Sequence, residues 1–196
     1  MADCKAESSC KTPPSPLPGI RECLRSDTAK LTRSRNKTSI ILGTLMTNRG
    51  LQSILLYRFS HALWRRRVPV LPLVFTRIAQ ILYGIDISYQ AYLGPGIVIV
   101  HGVGLVIGSQ TKIEGDCCLY QGVTLGDRGS EWVGSSRADG HPIVETGVMF
   151  GAGSKVLGPI RIGRNSIIGA NAVVTHDVPP NSIVVGVPGR VIGTRS

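Results

Sequence analysis

Aromatic side chains are scarce. Phe, Trp and Tyr make up 5% of the 196 residues, against 42% hydrophobic residues overall. A core of stacked rings is excluded, so Ile, Val, Leu and Ala must fill the interior. Cysteine occurs five times, at Cys4, Cys10, Cys23, Cys117 and Cys118. An odd number without metal-type spacing offers neither a disulfide framework nor a zinc site, and no metal is expected. A reducing cytoplasm is the expected compartment, because the N-terminus lacks an apolar signal core. A long uninterrupted apolar run is also missing. The best stretch, Val68 to Ile85, is broken by Pro69, Pro72, Arg77 and Gln80, which makes a poor membrane span. Only its position behind Arg65, Arg66 and Arg67 suggests contact along a membrane surface, and membrane contact is not expected. Acidic residues number 12 against 22 Lys and Arg, for a net charge of +10. Such a balance suits a phosphate-bearing partner. Aromatic and basic residues do not interleave, so nucleic acid is not the expected one.

Residues 1–20 read as a disordered tail, since KTPPSPLPG has almost nothing to bury. Residues 21–83 read as a short helical segment. Leu51, Ile54, Leu55, Phe59, Ala62 and Leu63 recur at three- and four-residue steps and draw one apolar stripe. Pro69 and Pro72 then interrupt the chain. Pro72 suits the start of a second helix, with Leu73, Phe75, Ile78, Ile81 and Leu82 on its buried side. His61 reads as structural or exposed.

From residue 84 the period changes to six. Ile87, Leu93 and Ile99 are six apart. After a step of eight, Ile107, Ile113, Leu119 and Leu125 keep the same spacing. After an insertion, Val144, Phe150, Val156, Ile162, Ile168 and Val174 follow without a slip. A helix would show a 3.6-residue period and a strand a two-residue one. The physical solution is a triangular prism, in which each six-residue unit is one short strand and one turn. Three units then make a coil, and the periodic residue stacks inward on the one 18 positions later. Residues 84–193 form this repeat domain, with the loop 127–140 inserted into it. Of the adjacent Cys117 and Cys118, one points inward as small core filler and the other out.

The segments GIDI (84–87), HGVGLVIG (101–108), LYQGVTLG (119–126), GHP (140–142), GAGSKVLGPIRIG (151–163) and DVPPNSIVVGVPGRVIG (177–193) carry a resemblance. Over residues 38–193 the chain resembles the serine acetyltransferase family of the hexapeptide-repeat acyltransferases. The resemblance implies a mainly β protein, a left-handed parallel β-helix preceded by a short α-helical segment. It also implies acetyl-CoA as acyl donor and a homotrimer, with paired trimers left open. The family's general base maps to His101, and its orienting carboxylate maps to Asp86, 15 residues earlier. Histidine suits this work because it titrates near neutrality, and a carboxylate on its second nitrogen fixes tautomer and orientation. The family's second active-site histidine, which contacts the acceptor, maps to His141. Gly126 and Ala152 match positions along the pantetheine arm. Lys155, Arg161, Arg164 and Arg190 lie where family members bind coenzyme A.

Two departures bear on the acceptor. The family usually has Asp before its base and Arg before its second histidine, where this chain has Val100 and Gly140. Those two charges grip free serine, so either the inserted loop replaces them, with Arg137 as the cation, or the acceptor is a neutral hydroxyl such as a sugar. A zinc hydratase on the same prism would need three histidines. Only His101 and His141 fall in suitable coils, since His176 lies in the terminal loop. A scaffold without catalysis would have no need of the Asp86–His101 pair.

Overall fold

The structure is a computed structural model, and it describes residues 19–31, 47–129 and 140–195. Most of the expected tail, and most of the inserted loop with Arg137, lie outside the described residues. Short parallel strands stack into three sheets. One sheet holds β1 (Asp86–Ile87), β4 (Val106–Ile107), β7 (Thr124–Gly126), β10 (Lys155–Leu157) and β13 (Val173–Val174). The second holds β2 (Tyr92–Leu93), β5 (Lys112–Ile113), β8 (Ile143–Val144) and β11 (Arg161–Ile162). The third holds β3 (Val98–Ile99), β6 (Cys118–Leu119), β9 (Met149–Phe150), β12 (Ile167–Ile168), β14 (Ser182–Val185) and β15 (Arg190–Thr194). From β1 to β14 consecutive strands fall in different sheets and neighbours in each sheet run parallel, which is the signature of a parallel β-helix; β15 then turns back antiparallel on β14.

Every residue of the six-residue pattern, from Ile87 to Val174, is buried. Each contributes roughly 1.5–3 kcal/mol by leaving water. The stacking interval varies, however. Ile87 pairs with Ile107 and Leu93 with Ile113, an interval of 20 residues in the first coil. The expected interval of 18 holds from Ile107 to Leu125, and again from Val144 to Ile162. The two extra residues sit in the turn after Ile99. Cys117 is buried and Cys118 half-buried, as a small filler and its outward neighbour should be.

The helices α1 (Ile20–Leu31), α2 (Arg49–Arg65) and α3 (Leu71–Tyr83) sit against the first coil. That end of the prism would otherwise present unpaired strand backbone. The Tyr57 hydroxyl donates to the Ala91 carbonyl at 2.7 Å and accepts from the Leu93 N–H at 3.2 Å. Arg58 donates to the Leu93 carbonyl, and to the Gly94 carbonyl at 2.7 Å. Its guanidinium also pairs with Asp27 of α1 at 3.1 Å, and both groups are buried. His61 Nδ1 lies 2.8 Å from the Tyr89 carbonyl, so this histidine ties α2 to the first coil.

The expected apolar stripes are only partly the buried ones. Leu51 and Ile54 are buried, but Phe59 is exposed, and Ser53, Arg58 and Ser60 are buried in its place. On α3 the expectation fails. Leu73, Ile81 and Leu82 are exposed, while Pro72, Thr76 and Ala79 face the protein. The reason is close approach. Ser60 Oγ donates to the Pro72 carbonyl at 2.6 Å and lies 3.4 Å from Thr76 Oγ1. Small and polar side chains bring the two helices together, and the large aliphatic side is left outward.

Candidate active site

His101 follows β3 at the place where the repeat takes eight residues instead of six. Its φ is +62°, and the Gly102 N–H donates to the Val100 carbonyl at 2.8 Å, closing a three-residue turn around His101. This turn is strained for a residue with a side chain, by on the order of 1–3 kcal/mol. A methyl group on Gly102 would lie 2.5 Å from Ile85 Cδ1, and the Gly104 N–H donates to the Gly84 carbonyl at 2.8 Å. The turn is thereby clamped to the residues just before Asp86. Asp86 is half-buried on β1, and its N–H donates to the Leu105 carbonyl at 2.9 Å. The register sets Asp86 opposite Val106, five residues beyond His101. Among the described residues, no hydrogen bond or ion pair joins the Asp86 carboxylate to the His101 ring.

A cavity of about 420 Å³ opens beside His101, walled by Val103 and by Thr47, Asn48, Arg49 and Gly50 at the start of α2. Asn48 caps that helix by accepting from the Leu51 N–H at 2.9 Å. Gly50 lets it approach, because a Cβ there would lie 2.1 Å from the Ile99 carbonyl oxygen. The sequence did not single out Arg49. The Asn-Arg-Gly that opens α2 was its only signal.

The corner that holds the His101 turn continues along the prism. Gly122 N–H donates to the Val103 carbonyl at 2.9 Å, and Gly153 N–H to the Gln121 carbonyl at 2.8 Å. Asn171 N–H donates to the Ala152 carbonyl at 2.8 Å. The His101 turn, Gln121 and Ala152 therefore share one edge. Lys155 reaches back to it, donating to the Gly122 carbonyl and, at 3.1 Å, to Thr124 Oγ1. Gln121, also missed in the sequence, has its Oε1 buried without a partner among the described residues.

His141 lies on a different edge. Its ring packs on Gly108, where a Cβ would come within 2.3 Å of Cδ2 and Nε2. Its Nδ1 is buried and makes no hydrogen bond among the described residues. A second cavity of about 530 Å³ there is lined by His141, Gly108, Ser109, Gly126 and Asp127, among others. Within one chain, then, His101 and His141 face separate cavities. Arg161 is exposed and paired with Glu145 at 3.1 Å. Arg190 is exposed on β15, and Arg164 is exposed in the turn after β11. His176 is exposed beside Thr175, away from both cavities.

Comparison with known proteins identifies the family. Residues 141–176 match the family described as bacterial transferase hexapeptide (six repeats). A serine acetyltransferase of Synechococcus elongatus is 46% identical over 152 residues, covering 77% of this chain and 60% of the relative. A truncated serine acetyltransferase apoenzyme superposes with a TM-score of 0.78 at 35% identity, covering 88% of this chain and 70% of that one. The chain belongs to the serine acetyltransferase family. The serine acetyltransferase of Brucella abortus strain S19, solved with coenzyme A, gives a TM-score of 0.80 at 32% identity and covers 90% of this chain and 68% of that one. Membership in the serine acetyltransferase family fixes the left-handed coil sense, which spacing alone left open. The chain spans about 60% of the length of the Synechococcus relative.

Proposed function

We propose that this protein transfers an acetyl group from acetyl-CoA to the hydroxyl of serine or a serine-like acceptor. The observation that carries this reading is His101, held in a strained turn at the mouth of a cavity and on the edge that runs to Ala152. His101 removes the hydroxyl proton as the oxygen attacks the thioester carbonyl. The tetrahedral intermediate then collapses, the C–S bond breaks, and the coenzyme A thiolate regains a proton. Asp86 orients the imidazole once substrate closes the site. The pantetheine arm passes Ala152 and Lys155 of one chain and Gly126 of the neighbouring chain that supplies His141, and Arg161 and Arg190 meet the phosphates.

His141 contacts the acceptor from a neighbouring chain. The separate cavities support a homotrimer with one site at each interface, because neither histidine meets the other inside one chain. The Nδ1 of His141 is buried and has no hydrogen-bond partner among the described residues, so it has a bond left to make.

A second acceptor class, a sugar hydroxyl, is favoured by the cavity wall. Among the described residues Arg49 is the one charged side chain in that wall, and no carboxylate of the same chain lines it. An ammonium buried there without a partner would cost on the order of several kcal/mol. Release of free thiol from acetyl-CoA, followed with L-serine and with neutral sugars, tests both readings. Efficient turnover of L-serine, with Arg137→Ala raising its KM far more than that of acetyl-CoA, assigns the clamp to the inserted loop. A higher kcat/KM for a sugar assigns the second class. No thiol release with any hydroxyl acceptor refutes the acetyltransferase reading.

A further inference from the structure

The helix α3 is inside out. Its buried side is Pro72, Thr76 and Ala79, and its outward side is aliphatic. Ile81 is 81% exposed, Leu82 62%, Leu71 46% and Val74 41%, and Val70 just before the helix is 72% exposed. At helical spacing Leu71, Val74, Ile81 and Leu82 fall on one side, with the half-buried Ile78 between them. A contiguous apolar face of this kind marks a contact surface.

Charge identifies what it contacts. Between Asp27 and Asp86 the sequence has ten Lys and Arg and no Asp or Glu. Arg65, Arg66 and Arg67 are exposed in the connection from α2 to α3. Arg77 is exposed on α3 itself, one helical turn from both Val74 and Ile81, and donates to Gln80 Oε1 at 2.7 Å. Apolar side chains with Arg77 beside them and Arg65, Arg66 and Arg67 just ahead of the helix fit an anionic bilayer, with the aliphatic face among the acyl chains and the arginines at the headgroups. A symmetric pairing of this face with itself in a second copy would set arginine against arginine. With 13 residues, α3 is too short to cross a bilayer, and no described helix is long and apolar enough to do so.

We propose that α3 lies along the surface of an anionic membrane, its axis in the plane and its Leu71–Val74–Ile81–Leu82 side immersed. The sequence argued against a span and left membrane contact unexpected; the exposed face supplies contact of the other kind.

Flotation of the full chain with vesicles of phosphatidylcholine, alone or mixed with phosphatidylglycerol, tests the proposal. The wild type is expected to float with the mixed vesicles and not with the neutral ones, and added salt should weaken the association. Arg66→Gln with Arg67→Gln should lower partitioning about 25-fold, at about fivefold per arginine. Ile81→Ser with Leu82→Ser should lower it at least about tenfold. All four side chains are exposed, so unfolding midpoints should match the wild type, and the arginine pair stands as a separate test if the serine pair does not fold. The proposal is overturned if the wild type stays unbound, or if it binds while the serine pair binds equally well. The first of these, with a change in sedimentation mass on Ile81→Ser and Leu82→Ser, would identify a second copy as the occupant. The second would identify a purely electrostatic partner such as an acidic polymer.

Discussion

Asp27→Ala should destabilise the protein far more than any surface charge removal. Asp27 is 0% exposed and Arg58 6% exposed, and their closest atoms are 3.1 Å apart. The other Asp27 oxygen accepts from the Ile97 N–H at 2.8 Å. Truncation leaves a buried guanidinium without its counter-ion and a buried amide without its acceptor. Breaking such a pair costs about 3–5 kcal/mol, a large share of the roughly 5–15 kcal/mol that holds a domain together. Lys30→Ala is the internal control. Its pair with Asp116 spans 2.6 Å, but the side chains are 41% and 53% exposed, so the loss should not exceed about 1 kcal/mol. Asp27→Asn should fall between, since an amide oxygen can still accept from Ile97. Replacing both partners, Asp27→Leu with Arg58→Met, should recover much of the loss, because no buried charge is then left alone. Urea unfolding followed by circular dichroism gives all four values. A midpoint for Asp27→Ala within about 1 kcal/mol of the wild type would refute the argument that this pair fixes α1 and α2 to the first coil.

Other consequences are open to direct measurement. His101→Ala should lower turnover by roughly 10²- to 10⁴-fold while acetyl-CoA binding, read by calorimetry, persists; near-normal turnover removes His101 from the base role. Mixing inactive His101→Ala and His141→Ala chains should restore part of the activity if each site draws on two subunits, and a species that sediments as a monomer at micromolar concentration contradicts this. Burial lowers the pKa of His61 below its ordinary 6.5. The unfolded chain therefore binds the proton first, and stability should fall as pH drops from about 6.5, by at most about 1.4 kcal/mol per pH unit. His61→Gln should flatten that part of the stability curve, and an unchanged slope would exclude His61 as its source.

The prism was legible because its period is imposed by the backbone. A chain that turns every six residues has no choice about which side chain faces the axis, so Ile87 through Val174 announce themselves without reference to any neighbour. The helices were less legible because a helix offers several faces, and the partner decides which is buried. Nothing in the residues around Phe59 or Ile81 says that Ser60 and Thr76 will draw α2 and α3 together by their small faces. The contact of Gly50 on Ile99 was hidden for the same reason, since it joins positions 49 residues apart in the sequence. The site stands between these cases. A regular coil is a poor place for chemistry, because its inward positions are filled and its turns repeat. Chemistry needs a departure from the repeat, and the sequence displays two. The step of eight after Ile99 becomes the strained turn around His101, and His141, just past the insertion, packs on Gly108. Both interruptions were visible as breaks in a count. What each break presents, and to which cavity, depends on the rungs and helix packed beside it, and that is information only the folded chain contains.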